Sequence, residues 1–390
     1  MTSFSPSRAA ATAAAALTLG LASCGNDDST TTATTATTAS STPAQQGGGA
    51  PGGGGGMSQS FADVALNTDG KSAGDANTAD VVAAANAFLE GLTADQKNGV
   101  NLDFSDNVSR VTWSNFPTTT VARKGVSLKD LGAQNTAAAL KLVEVMTGQD
   151  GYEQINEVRK SDTWLAANSS GGNSGFGADL YYVAIYGTPS ATQPFQIQFG
   201  GHHIARNYTY NGAKISVTPD FTGTEPTTFD VDGSTVEPLK AKADALFGMF
   251  DALSDDQLAS AKLASTYDDL VMGPGADSGK FPDAEGLLVS ELDAANKKKV
   301  LAAIETYVRD AAPSAADAIL SQYESELDKT RISWSGNTAR DGENSYLRID
   351  GPSVWIEFVN TRSQSTPNIH YHSVWRDKNN DYGSSNPSTT

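Results

Sequence analysis

Phe88-Leu89-Glu90-Gly91-Leu92-Thr93-Ala94-Asp95-Gln96 returns 161 positions later as Met249-Phe250-Asp251-Ala252-Leu253-Ser254-Asp255-Asp256-Gln257. Each copy reads as the apolar end of one helix followed by the start of the next. Thr93 or Ser254 caps that second helix while Gln96 or Gln257 reaches back, so amide protons that would lack acceptors are satisfied reciprocally. The same offset carries Gly125 onto Gly286, Leu131 onto Leu292, Ala133 onto Ala294, Asn135 onto Asn296 and Leu140 onto Leu301. Apolar residues spaced near threes and fours (Leu128, Leu131, Leu140, Val143, then Leu292, Val300, Ile304, Val308) predict helices around these positions. After the helices each half turns to a period of two: Tyr181–Gly187 and Phe195–Phe199 in the first, Tyr346–Gly351 and Trp355–Val359 in the second. Both pairs predict hairpins with one wet face and one buried face. Asn211-Gly212 predicts the tip of a further hairpin joining Ile204–Tyr210 to Lys214–Val217. The expected architecture is an α+β body of two duplicated lobes, each of helices against antiparallel sheet, over residues 60–232 and 233–390.

The amino terminus points to export. Residues 1–23 carry one basic residue, Arg8, before an apolar run from Ala9 to Leu21, too short to span a bilayer, which needs about 20 apolar residues. Leu21-Ala22-Ser23-Cys24 resembles the lipobox of bacterial lipoproteins, which makes 1–23 a signal peptide and Cys24 the lipidated anchor. Cys24 is the only cysteine, so an intrachain disulfide and a Cys-rich zinc site are both excluded. Residues 24–59 are dominated by Ser, Thr, Ala and Gly, with no apolar face to bury, and are expected to form a disordered tether. The expected location is the cell envelope, outside the cytoplasm, with the membrane as a partner through the lipid at Cys24.

Across 390 residues, 27 Lys and Arg stand against 45 Asp and Glu, a formal charge of −18. No basic stripe is present to release counterions from a polyanion, so nucleic acid is not an expected partner.

The four histidines fall in two pairs, His202-His203 and His370-Tyr371-His372. Side chains two apart on a strand share a face, about 6.5–7 Å apart at the backbone, so His370 and His372 can converge on one ion. Neighbours on a regular strand point to opposite faces, so one of His202 and His203 should join them unless Gly200-Gly201 makes a bulge. Three imidazoles and a water form an open metal site, of zinc or copper, of the kind used in catalysis. Arg206, Asn207, Glu357, Arg376, Asp377 and Asp381 are candidate partners, with Arg376 and Asp377 taken as catalytic. Gly273–Lys280 imitates a phosphate loop, but its spacing is wrong and Phe281 stands where Ser or Thr must hold magnesium. Asp377–Gly383 imitates a calcium loop but has Tyr at its sixth position, and reads as a turn.

Phe199-Gly200-Gly201-His202-His203-Ile204-Ala205, Pro219-Asp220-Phe221-Thr222-Gly223 and His370–Asp377 with Asn380-Asp381-Tyr382-Gly383 together resemble the bacterial family catalogued as domain of unknown function 3500. The resemblance covers most of the chain after the tether. It implies that the histidine pairs and the Arg-Asp after the second belong to a family pattern, and it supplies no activity. This chain departs from that pattern in lacking a carboxylate beside Gly201. The expected function is that of an envelope lipoprotein with a histidine metal site between its lobes, carrying out hydrolytic or related chemistry on a small-molecule or envelope substrate. The alternative is a non-catalytic lipoprotein that binds a metal or ligand.

Overall fold

The computed structural model describes residues 59–71, 77–169, 175–363, 365–385 and 388–389. The expected signal peptide, Cys24 and the tether up to residue 58 lie outside the described residues. Helices lie against a mixed sheet of twelve strands. In chain order the strands are β1 (Asn101–Leu102), β2 (Val126–Ser127), β3 (Tyr182–Tyr186), β4 (Phe195–Gly200), β5 (Ile204–Asn211), β6 (Lys214–Ser216) and β7 (Asp220–Thr224). The second half adds β8 (Leu287–Leu288), β9 (Arg331–Ser335), β10 (Tyr346–Asp350), β11 (Val354–Arg362) and β12 (Ile369–Asp377). Across the sheet the order is β8-β9-β10-β11-β12-β7-β5-β4-β3-β1, with β2 beside β3 and β6 beside β5. The ladders are antiparallel except that of β1 with β3. The central strand is β7, which pairs with β12 on one side and β5 on the other, so the two halves of the chain share one sheet. Among the described residues no helix is long and apolar enough to cross a membrane.

The local signals hold. Thr93 and Ser254 each form a complete capping box with Gln96 and Gln257, opening the helices Ala94–Val100 and Asp255–Ala261. The predicted periodic segments contain the helices Ala133–Met146 and Ala294–Val308, which bury Leu142, Val143 and Met146, and Val300, Ile304 and Val308, while Leu128 and Leu131 fall on a separate short helix, Leu128–Leu131, and Leu292 just before the second. Asn211 pairs with Lys214 at the predicted hairpin, and Gly212 at its tip has φ +62°.

The expectation of a wet sheet face is corrected. On β4, Phe195, Ile197 and Phe199 enter the core under the helices, while Gln196 and Gln198 point the other way and are also buried. Each apolar side chain buried this way contributes about 1.5–3 kcal/mol. The second face is covered by loops and by the short helix Asn107–Val111, which take up several of its polar groups: Gln196 and Gln198 donate to the Arg110 carbonyl, and Glu357 accepts the Val271 and Met272 amides. A polar face under a loop roof can hold a site that solvent reaches only through the loops.

Candidate metal centre

The turn between β4 and β5 is built by two glycines. A Cβ on Gly200 would stand 2.6 Å from the Ile204 carbonyl, and one on Gly201 2.8 Å from that of Leu180. The Gly201 amide donates to Ile204 at 2.9 Å and the Ile204 amide to His202 at 2.7 Å, closing a three-residue turn centred on His203. His203 has φ +55°, a left-handed conformation that costs a non-glycine residue on the order of 1–3 kcal/mol and persists only where its surroundings impose it. Here the restraint is the Gly223 amide on β7, which donates to the His203 carbonyl at 2.7 Å. The adjacent histidines are therefore not on a strand with opposed faces. Both are buried, with ring centroids 3.6 Å apart.

The second pair arrives on β12, whose His372 lies opposite Gly223 of β7. Gly223 has no side chain where a Cβ would stand 2.7 Å from the His203 ring and 2.8 Å from the Tyr371 carbonyl. The His203 ring occupies that space, with centroids 5.4 Å from His370 and 5.3 Å from His372. The Nε2 atoms of His370 and His372 face each other at 3.0 Å. One nitrogen from each of His203, His370 and His372 lies within 4.8 Å of the others. Tetrahedral zinc with bonds of about 2.0–2.1 Å sets its nitrogens roughly 3.3 Å apart, so a small adjustment of these rings fits an ion.

Carboxylates orient two of the rings. His372 Nδ1 lies 2.9 Å from Asp269, at the half-exposed rim, and His202 Nδ1 lies 2.9 Å from the buried Asp162. Asp162 also accepts the Tyr181 hydroxyl at 2.7 Å. With Nδ1–H given to Asp269, His372 turns a lone pair on Nε2 toward His370, the arrangement that orients metal-binding imidazoles. Both nitrogens of His203 and Nδ1 of His370 are buried with no hydrogen-bond partner among the described residues. Burial, reinforced by the neighbouring imidazoles, holds His203 and His370 well below the ordinary histidine range, so both are neutral and able to donate lone pairs.

The four histidines open onto a cavity of about 210 Å³ walled by Phe116 and Phe176, with Arg362 and Glu225 also lining it. Arg123 ties the wall to the turn by donating to the carbonyls of Ser114, at 2.9 Å, and Gly201, at 2.8 Å. A larger cavity of about 620 Å³ lies elsewhere, where Lys242 pairs with Asp310.

Arg376 and Asp377 do not line the histidine cavity. Arg376 is four positions along β12 from His372, roughly 13 Å by strand rise, and is paired with Asp277 and Asp381. Asp377 accepts from Lys71 at 3.3 Å and Tyr323 at 3.0 Å. Arg206 is paired with Asp220, Asn207 donates to the Pro219 carbonyl, and Glu357 and Asp381 serve loop amides and strand ends. The residues not anticipated are Asp162, Asp269 and Gly223. The first two carry no local signal, because each meets its histidine across a long separation, 40 positions for Asp162 and 103 for Asp269.

A family model described as "Protein of unknown function (DUF3500)" matches residues 74–384, and the chain belongs to that family. The match includes all four histidines and both orienting aspartates. No curated protein matches the chain. No solved structure matches it.

Proposed function

We propose that this member of the DUF3500 family is an exported lipoprotein, anchored through Cys24, that holds a zinc or copper ion on His203, His370 and His372 for hydrolytic chemistry on a small extracytoplasmic substrate. The observation that carries the reading is the meeting of three buried imidazoles, drawn from segments 167 positions apart, with both nitrogens of His203 and Nδ1 of His370 left without a partner among the described residues. Buried polar atoms left unpaired are costly and rare in native proteins. A three-imidazole set leaves a coordination position open, facing a cavity with room for a handful of waters at about 30 Å³ each. An ion held there lowers the pKa of bound water or polarises a carbonyl or phosphoryl oxygen. The chain's own part is to fix the rings through Asp269 and to exclude bulk water with Phe116 and Phe176.

The test is elemental analysis of the purified full chain after dialysis against zinc or copper, beside His370→Ala and His372→Ala variants. At least one equivalent is expected in the parent, with affinity falling 10-fold or more in each variant and turnover of small esters or phosphoesters lost with the metal. A parent chain without stoichiometric metal overturns the reading. Radiolabelled palmitate is expected to mark the parent and not Cys24→Ala, and equal labelling would remove the anchor from the proposal.

We infer further that the body arose by duplication. Supporting this, Gly125 and Gly286 both have positive φ and both lie where a Cβ would strike a carbonyl of the next strand, Val183 or Ile332. Leu128 and Val289 donate to Tyr181 and Thr330 at 2.8 and 2.9 Å. Asn101 pairs in parallel with β3, and Lys262 in parallel with β9. These relations match β3, β4, β5 and β7 with β9, β10, β11 and β12, one strand away from the equivalence read in the sequence. The two histidine pairs then occupy unrelated positions in the two repeats.

A further inference from the structure

We propose that the centre is dinuclear: Asp162, His202 and His203 form a second ion seat, and the His203 ring is shared between the two ions. This rests on the metal-site reading above. Asp162, His202 and His203 each place one donor atom within 4.8 Å of the others, and all three are buried. They form a separate group from His203, His370 and His372, with His203 as the common member. That common member is the residue whose two ring nitrogens are both buried and unpartnered. A single ion takes one of them. The other would stay buried and unpaired, which native proteins rarely tolerate, unless a second ion takes it.

The surrounding geometry is arranged for this. The left-handed turn at His203 and the missing side chain at Gly223 set the ring between the two groups, its centroid 3.6 Å from that of His202 and 5.4 and 5.3 Å from those of His370 and His372. Asp162 is anchored from the helix Gln149–Asn168 by the Tyr181 hydroxyl on one oxygen, and its other oxygen faces His202 Nδ1 at 2.9 Å. An ion seated there displaces the proton between that oxygen and the ring. The ring of His203 binds two ions only as imidazolate, so its N–H proton also leaves to solvent, and uptake of the second ion releases protons. The two anions so formed, Asp162 carboxylate and the bridging ring, offset half the charge of two divalent ions. With metal–nitrogen bonds of about 2.0 Å on either side of the ring, the ions stand roughly 6 Å apart.

The experiment is titration of the full chain with copper(II), read by elemental analysis, by proton release and by electron paramagnetic resonance. Two equivalents are expected, and a ring-bridged pair couples its spins, so signal that grows over the first equivalent should fall over the second. Asp162→Asn and His202→Gln are expected to bind one equivalent with an uncoupled signal, and His203→Ala to lose the coupling. One equivalent in the parent, unchanged in Asp162→Asn, overturns the second seat and leaves the three-histidine site standing. Two equivalents with full, uncoupled spin overturn the shared ring. No binding in the parent overturns both proposals. If a variant fails to fold by circular dichroism, the spin integral of the parent at two equivalents still decides.

Discussion

His203 holds its place because a residue on the neighbouring strand β7, Gly223, has no side chain. The Cβ of Gly223→Ala would stand 2.7 Å from its ring and 2.8 Å from the Tyr371 carbonyl, the second of which is backbone and cannot swing aside. The substitution is expected to cost about 1–3 kcal/mol and to displace the ring, lowering metal uptake more than the loss of stability alone accounts for. Melting and elemental analysis on one preparation check both. At this scale the sequence was informative about residue type and not about orientation. The i, i+2 spacing of His370 and His372 placed them on one face, as found. The doublet at His202 read as strand unless Gly200-Gly201 broke the alternation, and those glycines do break it, as a turn whose positive φ falls on His203. Asp162 and Asp269 were invisible for a different reason: an orienting carboxylate needs only to be near in space.

Among elements, legibility followed locality. The capping boxes at Thr93 and Ser254 were readable because all their partners lie within three positions. Ser254→Ala should destabilise the chain by about 1 kcal/mol, measured by denaturant unfolding, and Ser254→Asp should restore most of it, since either side chain can accept the Gln257 amide. Strand β7 was not read as a strand, since Asp220-Phe221-Thr222-Gly223-Thr224 contains residues depleted in sheets. Its glycine is there to admit a histidine, and its Asp220 to pair with Arg206. The requirements of the site override strand propensity at this element. The amphipathic strands misled in one respect. Alternation predicts which residues leave the core, but not whether a loop then covers them.

Across the whole molecule, the loop-covered sheet buries many charges, and this gives a pH dependence with a definite sign. Burial, opposed by Arg376, pushes Asp381 up to about 7, against an unfolded value near 3.8. Between those values the folded chain holds a proton that the unfolded chain releases, so the group's contribution to stability is present at low pH and is lost as pH rises through about 7. Asp377 and Glu357 are raised in the same direction, with burial the largest cause. The melting temperature is expected to fall between pH 5 and pH 8 from this contribution, and Asp381→Asn to flatten that slope. An unchanged slope in the variant would show that Asp381 is ionised throughout.

One strand, β7, is hydrogen-bonded to both β5 and β12, and the histidines sit on either side of it. If the chain were nicked at the connection near Gly233, His203 would fall in one fragment and His370 and His372 in the other, and an ion held by all three would act as a clasp between them. Chelation should then loosen the seam between fragments that stay together while loaded, which makes the metal a reporter of whether the two pieces have come home.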